Sequence, residues 1–301
     1  LTVKLSDKKV NLHFILKLKE ILAMRKIKLL IACVCVLFVS CSSAENKNIN
    51  ASDIIKMIQK GKPVQIADKV VFGDLNFADA LEPEFYAGLS MQTKIEHSVS
   101  FVGCVFMGNV SAKSVRDGVS VQTFFGTNLF FQNCDFRGEV NFDEAEIHGF
   151  MSFHNSTFRK KASFNNINVW SSDCVLSYIK AEDKFDMISS RVKGTLNVSN
   201  SEFAGQLKLQ ALSVDDNFIF NAAKCAANVD MSLLRIGNRA MFNYAEFAGN
   251  CNLLMSRIGG DAEFTSTKFA QSPNLENAVF YGRMINANNL DLSKSILIIK
   301  Q

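Results

Sequence analysis

Proline is scarce in this 301-residue chain (3), tryptophan occurs once, and there are four histidines. So little proline beside 26 phenylalanines excludes a proline-rich or disordered chain and fits a phenylalanine-filled β core. No glycine-rich phosphate loop, C-x-x-C pair or H-E-x-x-H is present, so the short patterns that cradle phosphate or hold zinc are missing. Ser177-Tyr-Ile-Lys180 matches S-x-x-K, but neither S-D-N nor K-T-G accompanies it. A basic footprint is lacking too. The formal charge is +4, yet residues 1–41 hold eight Lys/Arg and two Asp/Glu, which leaves −2 for the remainder. A body so near neutrality argues against nucleic acid as a partner.

That charge split originates at the N-terminus. Met24-Arg25-Lys26-Ile27-Lys28 is basic, and LLIACVCVLFV at 29–39 is an 11-residue apolar run. Such a run is too short for a comfortable membrane span and right for a signal peptide. It ends in Phe38-Val39-Ser40-Cys41, which resembles the processing site of a bacterial lipoprotein signal. The resemblance implies a signal peptide over 24–40, lipidation of Cys41, and export to the outer membrane of a Gram-negative cell, on its periplasmic or outer side. Residues 1–23 precede a good start methionine and read as a mis-called upstream extension. Residues 41–62 read as a linker and a short helix capped by Ser52 and ended by Gly61, with Ile54, Ile55, Met57 and Ile58 as its apolar stripe.

From Phe131 to Phe280 an apolar residue recurs at alternating steps of five and six. One series begins Phe131, Phe142, Phe153, Phe164; the other begins Phe136, Ile147, Phe158, Val169. One extra residue between Phe164 and Leu176 is the single slip. A short period held over such a length means a solenoid whose coils bury their inner side chains against their neighbours. Two residues before the second-series position stands a small one (Ala145, Ser156, Ser201, Ala245), with a polar residue between. Two residues after it Gly, Asp or Asn dominates (Gly149, Gly194, Asp216, Asn238). In–out–in alternation predicts short strands, and the Gly/Asx positions predict their corners.

This grammar resembles the pentapeptide-repeat family over about residues 64–296, with alternating fives and sixes in place of strict fives. The resemblance implies an all-β, right-handed quadrilateral β-helix over 63–301, capped by the N-terminal helix. Coil length is tested by the exterior. At spacing 22 one column alternates in charge, Lys180, Glu202, Lys224, Glu246, Lys268, and its neighbour is Ala204, Ala226, Ala248, Ala270. Shifted by 11, the columns become Arg191, Ser213, Arg235, Arg257 and Asp215, Gly237, Gly259, Tyr281. The faces differ, so the expected coil has about 22 residues and four sides. Residues 82–98 and 111–123 interrupt the pattern as insertions. Cys104, Cys134, Cys174, Cys225 and Cys251 fall on inward positions, no two a whole coil apart, and are expected to be free, buried small hydrophobes.

Function is far less legible. The expectation is a non-catalytic, membrane-anchored structural or binding module with no cofactor, no metal site and no catalytic residues. Arg235 and Arg257 are like charges one coil apart, an arrangement that is unfavourable unless an anion lies between them. With Arg191 they are the candidate contacts for a protein or acidic-glycan partner. Trp170, the single tryptophan, stands beside the slip as a candidate binding tip. His148 and His154 lie on outward positions of different faces and read as surface residues. Two alternatives stay open: a carbohydrate-active enzyme built on a β-helix, and a topoisomerase-binding DNA mimic, which the family resemblance implies. A final apolar segment, Ser295-Ile-Leu-Ile-Ile-Lys-Gln301, carries the expectation of an end-to-end homodimer through residues 290–299.

Overall fold

The computed structural model describes residues 47–298 except 89, 171 and 289. The signal segment and Cys41 lie outside the described residues. The body is a four-sided parallel β-helix. Successive short strands, of two to four residues outside the insertions, rotate through four sheets in the repeating order exemplified by Leu129–Gln132, Asp135–Phe136, Val140–Asn141 and Glu146–Ile147. These are faces one to four, and each strand pairs in parallel with its equivalent one coil on. Glu146 faces Asn168 and Lys180 faces Glu202, so the coil is 22 residues long.

The alternation of fives and sixes now has a backbone cause. Each five-residue step turns through a residue with positive φ, such as Glu144 (63°), Asn155 (54°) and Asn166 (56°). It closes as a β-turn, as in Ala145 N–H to Phe142 C=O at 3.1 Å. Among the described residues, the six-residue steps of the two series have no such residue. The extra residue of the slip falls between Val169 and Cys174, at the corner from face four to face one.

Inward side chains stack coil on coil. Phe101, Phe131 and Phe153 lie parallel with ring centroids 5.0 and 4.9 Å apart, and Phe106, Phe136 and Phe158 follow at 5.0 and 5.1 Å. That is close to the spacing of hydrogen-bonded strands, which sets it. Every position of both apolar series is buried except Phe269, which is half-buried in the last strand of face two. The small residues beside them are alanines or hydroxyl residues, and the hydroxyls are used. The Ser156, Ser201 and Ser256 Oγ atoms donate to the carbonyls of Phe131, Leu176 and Met231 at 3.0, 2.8 and 2.8 Å, satisfying acceptors inside the coil.

The same position explains two cysteines and corrects their spacing. Val105 pairs with Asp135, so Cys104 and Cys134 are one coil apart, with the 111–123 insertion accounting for the longer sequence separation. Each thiol takes the place of a serine and donates to a carbonyl, Cys104 to Ile66 and Cys134 to Phe101, both at 3.6 Å. All five cysteines are free and buried, and burial raises every one of their thiol pKa values.

At the N-terminal end, helix α1 (Ala51–Gln59) buries Ala51, Ile54 and Ile58 against the first coil. Its N-cap is Asn50, not Ser52, because Asn48–Asn50 is already a strand paired with Val70–Phe72 and the helix starts directly after it. Gly61, at φ +64°, ends the helix: its N–H reaches Ile58 C=O and that of Lys62 reaches Met57 C=O, the double bond of a Schellman motif. The two insertions form a wing on face four. Glu84–Ala87 pairs antiparallel with Ser90–Ile95, and Lys113–Arg116 with Val119–Phe125, while Ser90–Ile95 and Val119–Phe125 pair in parallel.

Candidate functional site

Trp170, Arg191, Arg235 and Arg257 all lie on face four. Arg191, Arg235 and Arg257 occupy one outward column, in register through Arg191–Ser213, Ser213–Arg235 and Arg235–Arg257. Two residues on, a second column runs His148, Trp170, Lys193, Asp215, Gly237, Gly259, Tyr281, each backbone N–H bonded into the preceding coil. The fold thus gathers the four candidates along one side of the helix axis.

Their surroundings differ. Arg191 is neutralised by Asp215, Nη2 to Oδ2 at 2.9 Å. Arg235 and Arg257 stand directly opposite one another, exposed, and neither has an ion-pair partner among the described residues. Beside them opens a groove of 360 Å³ lined by Ser213, Asp215, Arg235, Gly237, Arg257, Gly259 and Tyr281. Its floor is backbone. A Cβ on Gly237 would stand 2.1 Å from Asp215 O, and one on Gly259 2.3 Å from Gly237 O. Close coil-to-coil approach therefore demands glycine at both positions, and the side-chain-free slot between Asp215 and Tyr281 follows from it.

Trp170 is placed differently from a loop tip. Its N–H bonds to Ile147 C=O at 2.8 Å, so it remains in the ladder and the extra residue falls after it. Its ring, 40% exposed, lies 6.2 Å from His148, whose ring lies 4.6 Å from Phe124. The result is an aromatic platform on the same face. His154 is elsewhere, bonded through Nδ1 to Ser177 Oγ at 2.9 Å. No group of three or more His, Cys, Asp or Glu is gathered for a metal ion among the described residues.

The charge ladder of face two has the expected register and an uneven geometry. Lys180 meets Glu202 at 3.9 Å and Lys268 meets Glu246 at 2.7 Å. Lys224 sits between Glu202 and Glu246 but makes no ion pair within 4.0 Å among the described residues. Glu246 is nevertheless held below the ordinary carboxylate value, chiefly by its hydrogen bond from Lys268, with Lys224 adding a smaller attraction.

The wing contributes a contact that local sequence does not signal. Tyr86 Oη hydrogen-bonds Glu146, a residue 60 positions away, and Glu146 is buried on an otherwise outward position. That bond, then burial, raises the tyrosine pKa. Gln92 and Gln122, in register with each other in the two parallel wing strands, are buried as well. Comparison with protein-family models, with characterised proteins and with solved structures returns no match for this chain.

Proposed function

We propose that the protein is a non-catalytic binding module, anchored to the outer membrane through Cys41, whose contact surface is face four. The observation that carries this is the in-register pair Arg235–Arg257, exposed and unneutralised beside an open slot. Directly opposed like charges are unfavourable in an isolated fold, and a ligand that neutralises them accounts for their place. Trp170 and His148 extend the same surface toward the N-terminus, so the ligand is elongated and lies along the rod. Binding is favoured over hydrolysis because glycoside cleavage calls for two carboxyl groups flanking one bond, whereas the slot offers Asp215 alone, already tied to Arg191. A DNA mimic requires a continuous negative face; face two alternates in charge and face four carries arginines.

The test is retention of the purified chain on cell-envelope fractions. Trp170→Ala and Arg235→Glu are expected to weaken retention at least five-fold, and Lys224→Glu on face two to leave it unchanged. Equal losses from both faces, or none from face four, reject the assignment.

A further inference from the structure

We infer that the slot between Asp215 and Tyr281 is a binding site for a uronic-acid-type oligosaccharide, a carboxylate-bearing sugar chain lying along the coil stack. The inference rests on face four being the contact surface and names the ligand class that surface takes.

Length comes first. Asp215, Gly237, Gly259 and Tyr281 succeed one another in adjacent coils, so the slot spans three ladder steps, about 14 Å at strand spacing. That suits a few linked rings better than a single small ion. Charge comes second. Arg235 and Arg257 flank the slot one step apart, and guanidinium groups bind carboxylates through paired N–H donors.

The end of the slot discriminates between anions. Asp215 closes one end of the slot with a carboxylate whose Oδ2 is held by Arg191, which leaves Oδ1 to accept hydrogen bonds from hydroxyls and adds no free positive charge for a densely charged group such as phosphate. A site with two unpaired cations and one carboxylate already paired with Arg191 matches a ligand with separated single charges and many hydroxyls. Shape comes last. Gly237 and Gly259 leave a flat backbone floor on which a ring can lie, and Tyr281 supplies an aromatic wall at the far end.

The experiment is calorimetric titration of the purified chain with three probes: a uronic acid trisaccharide, its carboxyl-reduced neutral counterpart, and inorganic phosphate. The trisaccharide is expected to bind at least ten-fold more tightly than either of the others. Replacing Arg235→Ala together with Arg257→Ala should weaken it at least ten-fold, Tyr281→Ala about three- to five-fold, and Lys224→Ala not at all. Asp215→Asn should improve phosphate binding relative to the sugar. Thermal melts of each variant separate lost binding from lost folding. Phosphate bound as tightly as the trisaccharide, or affinity untouched by the double arginine change, overturns the inference. If envelope retention depends on face four but no uronic oligomer binds, only the ligand class falls; if retention ignores face four, both readings fall.

Discussion

Phe242 lies flat on Phe264 of the next coil, with ring centroids 5.2 Å apart and planes 10° from parallel. It also meets Phe218 edge-on at 5.8 Å. Shortening Phe242 to alanine removes both contacts from a fully buried site and leaves a cavity there. A loss of about 3–5 kcal/mol in urea unfolding is expected. Phe269→Ala, at the half-buried end of face two, should cost clearly less. Equal losses would contradict the view that coils are held chiefly by ring-on-ring packing.

Leu233 and Met255 sit at left-handed corners, φ +59° and +55°, with 40% and 48% of their surface exposed. Elsewhere the same corner accepts Asn166, Ala211 and Asn277. A bulky side chain at positive φ is strained, and exposure returns little in compensation. Leu233→Asn is therefore expected to stabilise the fold by about 1 kcal/mol. A melting temperature that falls would show that Leu233 packs more tightly than its exposure implies.

The buried thiols make stability sensitive to alkali. The Cys225 thiol is pushed up to about 12 from an ordinary 9.0 by burial, and the other four move the same way for the same leading reason. A raised folded pKa on an acid means the fold holds its proton where the unfolded chain releases it. The resulting stability is complete below pH 9.0 and declines as pH rises toward the folded value. Urea midpoints should accordingly fall above pH 9, and a thiol reagent at pH 8 should label none of the five until the chain unfolds. Rapid labelling of the native protein would refute their burial.

The strand Ile296–Leu297 pairs with Val279–Phe280, and Ile296, Leu297 and Ile298 are 49%, 48% and 43% exposed. An apolar edge of this kind templates pairing with another chain. Light scattering at tens of micromolar is expected to give a dimer, and Leu297→Lys to return it to monomer. A wild-type monomer at that concentration excludes end-to-end pairing.

Period, coil length and interior were open to reading before any coordinates, because a solenoid repeats one local rule. Phe142 or Phe264 must face inward whatever its neighbours do, and Lys180, Glu202 and Lys224 must stack if the coil has 22 residues. The cap of α1 was less legible. Ser52 has the right chemistry, but pairing of Asn48–Asn50 with Val70–Phe72 starts the helix earlier. Insertions obscured register in the same way. Cys104 and Cys134 look unrelated until residues 111–123 are folded out into the wing.

What the amino-acid sequence determined by itself was therefore everything that follows from periodic burial: the four-sided solenoid, its apolar filling, and the columns in which surface residues must lie. Only the tertiary structure decided what those columns become. It placed Trp170 in the ladder beside His148, gave Asp215 to Arg191, and left Arg235 and Arg257 without a partner beside a glycine floor. It also brought Tyr86 onto Glu146 across 60 residues. The physical reason is range. Burial is dictated by a residue's own polarity and its place in the repeat, whereas charge pairing, grooves and long-range hydrogen bonds depend on side-chain directions that arise only when the coils are stacked.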